Sequence, residues 1–269
     1  MAKIGVEGVR YYDQYREHNG TKLDDGTVVG PPIPYGVGGW IDLDFTYNIT
    51  NGFHGTMTAA GVDSFYYAGT DVWETDIKDV SFGGDDVTYA DAVDLWFFSG
   101  HSYIHLESGS GAQIVFNSDN SKKAEWFSGS HQWRLGGNWN ADWIALYTCE
   151  SLIFQDALWD NYHDIFDRLH IMLGSWGDMK NGSDFANVGR AFAENLLDGD
   201  PVSAAWLDAT GVDNSPAALS AEGQETWHNG QPDYGATTLS NDHFWGRGEV
   251  RPDRPASEIA WLHYRWRHH

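Results

Sequence analysis

Four short apolar runs punctuate the chain: residues 62–68, 93–98, 143–147 and 169–173. Each ends on a small or polar group: Gly69, Ser99-Gly100, Thr148-Cys149 and Gly174-Ser175. Runs of this length with few polar interruptions suit strands buried on both faces, as in a parallel sheet. The later runs are separated by helical periodicity. Residues 151–166 place Leu152, Ile153, Leu158, Trp159, Tyr162 and Phe166 near one stripe, and 184–197 place Phe185, Val188, Phe192, Leu196 and Leu197 likewise. Pro201 suits the first turn of a helix over 202–209 with Gly211 as its stop, and Asn214-Ser215-Pro216 opens another short helix. Strand alternating with helix predicts an α/β domain.

Three stretches depart from that alternation. Residues 4–19 read as a short strand followed by a turn or short helix, and 24–40 as a turn-rich loop. Residues 41–60 read as irregular or short strand, with Asp42, Asp44, Asn48 and Asn51 as turn formers and no twelve-residue calcium loop. Together 24–60 form an irregular N-terminal elaboration. Residues 103–140, rich in Ser, Gly, Asn and Trp, predict a β-hairpin excursion with one clear strand at 113–116. Residues 222–256 predict a long polar loop region, a length often tied to function. A final strand follows at 259–266. The expectation is a single α/β domain over 1–269 carrying these elaborations.

Charge changes the picture of partners. Sixteen Lys and Arg against 39 Asp and Glu leave a net charge of −23, a field that repels phosphate backbones and anionic membranes. Fourteen Trp, 13 Tyr and 13 Phe exclude a disordered acidic chain. No apolar run of about 18 residues predicts a membrane span, and residues 1–8 hold no apolar signal core. The expectation is a soluble protein, either cytoplasmic or secreted with a signal trimmed, without nucleic-acid or membrane partners. The single cysteine, Cys149, excludes an internal disulfide and a Cys-rich zinc site. His268 and His269 read as a tag remnant and carry no site.

Two residues stand out by position. His101 follows the second run through Ser99-Gly100, and Cys149 follows the third through Thr148. In open α/β sheets ligands gather outside the carboxyl ends of strands, so neighbouring parallel strands would bring this pair to one edge. A free thiol, with a pKa of about 8.5, is only a few per cent thiolate at neutral pH. An adjacent imidazole can take its proton and later protonate a leaving amine. The helical pattern after Cys149 would add a helix N-terminus that favours a thiolate. The plainer alternative is a small buried hydrophobe.

The segments VDLWFFSGH (93–101), DWIALYTCES (142–151) and LHIMLGSWG (169–177) resemble the caspase–gingipain–legumain group of cysteine peptidases. The histidine precedes the cysteine by 48 residues, close to the roughly 50 of caspases. With GVEGVRYY (5–12) and GRAFA (189–193), the chain is more similar still to uncharacterised archaeal and bacterial proteins assigned to that fold. The resemblance implies a three-layer sandwich with a mainly parallel central sheet and β-hairpin elaborations. It implies Cys149 as nucleophile, His101 as general base and acid, and an oxyanion held by the backbone N–H of Cys149 and by one just after the histidine. That second donor falls on Ser102, where the group usually has Gly, whose backbone is freer.

Thiol-dependent hydrolysis of a peptide or amide bond is the function expected. Asp94 or Glu107 is available to orient His101, and Glu150, Ser175 and Trp176 to wall the pocket. No metal and no cofactor is expected. One alternative is a non-hydrolytic cyclase, lyase or transferase on the same scaffold acting on an apolar small molecule. Another is a pseudoenzyme or binding module with Cys149 buried. Weaker candidates are a His101/His105 metal pair, which lacks the helix and glutamate of a zinc motif, the loop triplet Asn241-Asp242-His243, and an aromatic wall from Trp73, Trp126, Trp133, Trp139 and Trp176. His163 and His170 read as structural, and Gly83-Gly84 and Gly136-Gly137 as turns.

Overall fold

A computed structural model describes residues 2–10, 43–104, 112–116, 127–129, 132–134, 140–153, 162–211 and 214–267. Within them the last three apolar runs form β3 (Leu95–Ser99), β7 (Trp143–Tyr147) and β8 (Ile171–Ser175), every residue buried. Leu95 pairs with Trp143, and Trp143 with Ile171, so the three strands are parallel neighbours as the sequence predicts. On the far side of β3 lie β1 (Lys3–Gly8) and then β2 (Asp63–Ala68), both parallel to it. β2 is the sheet's edge and is half-exposed, which the apolar run at 62–68 does not reveal. β9 (Pro216–Glu222) runs antiparallel beside β8, and β12 (Trp261–Trp266) antiparallel beside β9. The order is β12-β9-β8-β7-β3-β1-β2, a seven-stranded, mostly parallel sheet.

Side chains alternate cleanly between its two faces, as strand geometry requires. Leu95, Phe97, Trp143, Ala145, Ile171 and Leu173 point to one core. It is closed by three helices, α1 (Thr46–Ala59), α2 (Val188–Asp198) and α3 (Val202–Thr210), which contribute Phe53, Phe192 and Trp206. Trp96, Phe98, Ile144, Leu146 and Met172 point to the other. There the cover is a small antiparallel sheet of β4 (His101–Ile104), β5 (Ala112–Val115) and β6 (Phe127–Gly129), together with short 3-10 turns across residues 74–92. β5 and β6 lie within the 103–140 stretch expected to form a hairpin excursion, of which only part is described. No helix among the described residues is long and apolar enough to cross a membrane.

Two sequence expectations fail. The second half of the supposed irregular elaboration is helix α1. Thr46, Ile49, Thr50, Phe53 and Met57 recur at helical spacing and are buried, while four threonines, two asparagines and two glycines mask that stripe by their poor helix propensity. Gly52 and the facing Gly189 have a packing role. A Cβ on Gly189 of α2 would stand 1.9 Å from the Ile49 carbonyl oxygen of α1, and one on Gly52 3.1 Å from the Arg190 nitrogen. The predicted short helix after Asn214 is strand β9 instead. Pro216 stands at its first position, which a strand tolerates, and the small residues of PAALSAE fit between β8 and β12 with every position buried. Residues 24–42 lie outside the described residues.

The long loop region has its own order. β10 (Trp227–His228) pairs with β11 (Gln231–Pro232), and a single helical turn, α4 (Thr238–Asn241), follows. Strand β12 also braces chain far from it. The Tyr264 hydroxyl donates to the Leu152 carbonyl at 2.5 Å, and the Trp176 indole N–H donates to the Arg267 carbonyl at 2.9 Å.

Candidate functional site at the carboxyl edge of the sheet

Chain order sets the place where a ligand fits. β1 leads to β2 on one side, while β3 lies on its other side, so the sheet's connections diverge between β1 and β3. The crevice beyond the carboxyl ends of such strands is the usual ligand site of open α/β sheets. His101 opens β4 directly after β3, and Cys149 follows β7. Ser99 and Tyr147 are paired in register. His101 and Cys149 each stand two residues beyond that rung, and the Ser102 hydroxyl donates to the Cys149 carbonyl oxygen. The two residues singled out from the sequence thus leave the same edge of adjacent strands.

The thiol is held rather than free. Cys149 is half-buried and packs against the helix-covered core. Its Sγ accepts the Met179 backbone N–H at 3.3 Å and lies 3.7 Å from the Met179 carbonyl. Burial pushes the thiol up to about 11, and the Asp178 and Glu150 carboxylates add to the rise, while the Met179 N–H opposes it. At neutral pH the resting group is a thiol, not a thiolate. The helix N-terminus expected beside it falls on 154–161, outside the described residues; 151–153 form a turn.

The proposed pocket residues lie around this loop. Glu150 adopts φ 50° and donates its backbone N–H to the Gly177 carbonyl at 2.9 Å. Burial and the nearby Asp178 raise its carboxyl above the usual range. The Ser175 hydroxyl lies 2.6 Å from the Thr148 carbonyl and 2.8 Å from that of Gly177, and its N–H donates to Ser151 Oγ. Ser175 is therefore a brace between the loops after β7 and β8. Trp176 packs on the other core. Among the described residues, buried polar atoms without hydrogen-bond partners include four at the ends of these strands: both Glu7 carboxylate oxygens, Ser99 Oγ and Thr148 Oγ1. Burial, reinforced by Asp76, holds the Glu7 carboxyl well above its ordinary value, and burial pushes Asp76 itself to about 7.

Asp94 cannot orient His101. It stands at the amino end of β3, where its carboxylate accepts the Lys3 N–H. Glu107 and His105 lie outside the described residues, as do Trp126 and Trp139. Trp133 is wholly buried core. His163 faces Asp164 at 3.2 Å.

His170, Asp142 and Asp242 form a constellation that sequence reasoning did not assemble. Asp142 and His170 each stand one residue before an apolar strand, at the amino edge of β7 and β8. His170 Nδ1 donates to Asp242 Oδ2 at 2.9 Å. The same carboxylate accepts the Trp143 indole N–H at 2.6 Å and, through Oδ1, the Arg251 backbone N–H at 2.7 Å. Trp245 donates its indole N–H to Asp142 Oδ2 at 2.6 Å. Burial pushes Asp142 up to about 7 against the pull of His170, and for His170 the hydrogen bond and charge of Asp242 outweigh burial and raise it. A usable signal was an ionisable residue at the same offset ahead of two adjacent strands.

The arrangement defines an α/β protein with a mostly parallel seven-stranded sheet and polar groups gathered at both strand ends. The chain belongs to the family described as a domain of unknown function, DUF6345, whose model matches residues 36–268. A search of the curated proteins finds no match.

Proposed function

We propose that the carboxyl edge is the active site of a thiol-dependent hydrolase acting on a peptide or small amide, built on a caspase/gingipain-like sandwich. The observation that carries this reading is the shared rung Ser99–Tyr147, from which His101 and Cys149 depart together, tied by the Ser102 hydroxyl. A resting thiol held near 11 means that no standing thiolate–imidazolium pair attacks. His101 instead takes the Sγ proton as the sulfur adds to the substrate carbonyl. The protonated imidazole then delivers that proton to the departing amine, leaving a thioester on Cys149. A water, deprotonated by the same imidazole, adds to the thioester and releases the acid and the thiol. The net −23 charge favours a neutral or basic substrate.

A second reading has its own support: burial, contact with the helix-covered core and the raised thiol also suit a cysteine that only fills space. The deciding experiment treats the full chain with peptide chloromethyl ketones and a panel of fluorogenic peptide amides, beside Cys149→Ala and His101→Ala. Adduct mass on Cys149 and turnover lost in both variants are expected. No adduct, or turnover unchanged in Cys149→Ala, overturns the hydrolase.

A further inference from the structure

The amino edge of the sheet carries a group of polar atoms that no hydrolytic step at Cys149 uses. His170 Nε2 is buried and has no hydrogen-bond partner among the described residues, and the side chain is 2% exposed. It faces Asp142 Oδ1 at 3.8 Å and Asp253 Oδ1 at 3.5 Å, and the three atoms lie within 4.8 Å of one another. A buried nitrogen facing two carboxylate oxygens with nothing bonded to it is costly unless something sits between them. The other side of the ring is fixed: Nδ1 donates to Asp242, itself held by Trp143 and Arg251. A carboxylate behind a histidine sets the tautomer that turns the Nε2 lone pair inward and strengthens it as a ligand.

We infer that Asp142, His170 and Asp253 form a binding site for one divalent transition-metal ion of the zinc class. Ligand bonds of about 2.0–2.1 Å in tetrahedral array put donor atoms roughly 3.4 Å apart, close to the two separations found. One imidazole with two carboxylates favours zinc, manganese or iron over calcium and magnesium, which prefer all-oxygen shells. Asp253 is 60% exposed, so it gives the ion a route in from solvent. Three protein ligands leave a fourth position for water. Asp142 precedes β7 while Cys149 follows it, so the ion would sit a strand's length, roughly 17 Å, from the thiol. The inference does not depend on the hydrolase reading.

The test uses the full chain, stripped with chelator and titrated with Zn²⁺ and Mn²⁺ in excess Mg²⁺, with bound metal counted and melting followed in parallel. Expected are one tightly held ion, a higher melting temperature when it is bound, and at least about tenfold weaker binding in Asp253→Asn and Asp142→Asn. Asp253 is a surface residue, so its variant keeps the test decisive if Asp142→Asn fails to fold. The His268-His269 pair is common to all forms and cancels. Three results overturn the inference. One is no ion held by the wild type, which leaves a proton on His170 to balance the carboxylates. Another is equal affinity in Asp253→Asn. The third is diffuse uptake of several ions displaced by Mg²⁺, which marks only the acidic surface.

Discussion

The two ends of the parallel strands are built by opposite rules. At the amino edge, ionisable groups are locked: Asp242 takes three donors, from Trp143, His170 and Arg251, and Asp142 takes Trp245. At the carboxyl edge, Glu7, Ser99 and Thr148 keep buried oxygens unbonded among the described residues, and the thiol has only long contacts, to the Met179 N–H and carbonyl. A saturated network rigidifies its surroundings. Unmatched buried polar atoms are strain that something outside the chain can relieve. On the proposed reading a substrate would relieve the carboxyl edge, while at the amino edge the unmet atoms among the described residues include the inward-facing His170 nitrogen and Arg251 Nε.

The largest effect that would sharpen this contrast is catalytic. Cys149→Ala should cut turnover by about a thousandfold or more, while unfolding free energy falls by only about 1 kcal/mol, as read by denaturant titration. A loss of several kcal/mol with activity intact would break the contrast by making Cys149 structural. Next comes Asp242→Ala at the other edge, which strands His170 and two N–H donors. It should cost about 3–5 kcal/mol, visible as a large drop in melting temperature. If it costs less than Cys149→Ala, the amino edge is not the braced one.

Thiol chemistry gives a third measure. With the Cys149 thiol near 11, iodoacetamide labelling of the free protein should be slow at pH 7. It should rise about tenfold per pH unit toward pH 11, because only the thiolate reacts. A plateau near pH 8 would mean that His101 already holds the proton at rest. Buried carboxyls in the short 3-10 turns give a fourth. Asp76 and Asp86 are pushed to about 7 from an ordinary 3.8, chiefly by burial, with Asp91 and Asp79 also raising Asp86. Between about pH 4 and 7 the folded state holds protons that the unfolded chain releases, so these groups lower stability as pH rises. Asp76→Asn should flatten that fall and gain on the order of 1 kcal/mol at pH 8, checked by melting temperature across pH. The smallest effect belongs to Ser102→Ala. Loss of one hydrogen bond to the Cys149 carbonyl should cost about 1 kcal/mol and loosen the spacing between His101 and Cys149, the proposed base and nucleophile, raising KM less than it lowers kcat.

How much of this was readable in advance follows from where the information lies. β3, β7 and β8 are buried on both faces, so LWFFS, WIALY and IMLGS announce themselves, and with them the position of His101 and Cys149 at strand ends. Helix α1 hides because its buried stripe, Thr46, Ile49, Thr50, Phe53 and Met57, is interleaved with poor helix formers, of which Gly52 answers to a close helix crossing rather than local preference. Strand β9 hides because alanine and serine fill a space set by its neighbours. The His170 network hides most completely. Trp143 and Asp242 are 99 residues apart, Asp142 and Trp245 103, and no local spacing encodes a contact made by tertiary folding.

The donation from Tyr264 on β12 to the Leu152 carbonyl carries a consequence for biosynthesis. Synthesis runs from the amino end, so β12 is the last strand of the sheet to leave the ribosome. Until it docks, the turn after Cys149 lacks that anchor, and the Trp176 indole lacks the Arg267 carbonyl. The nascent chain therefore carries its thiol on an unclasped turn, and the carboxyl edge is completed only in the finished fold.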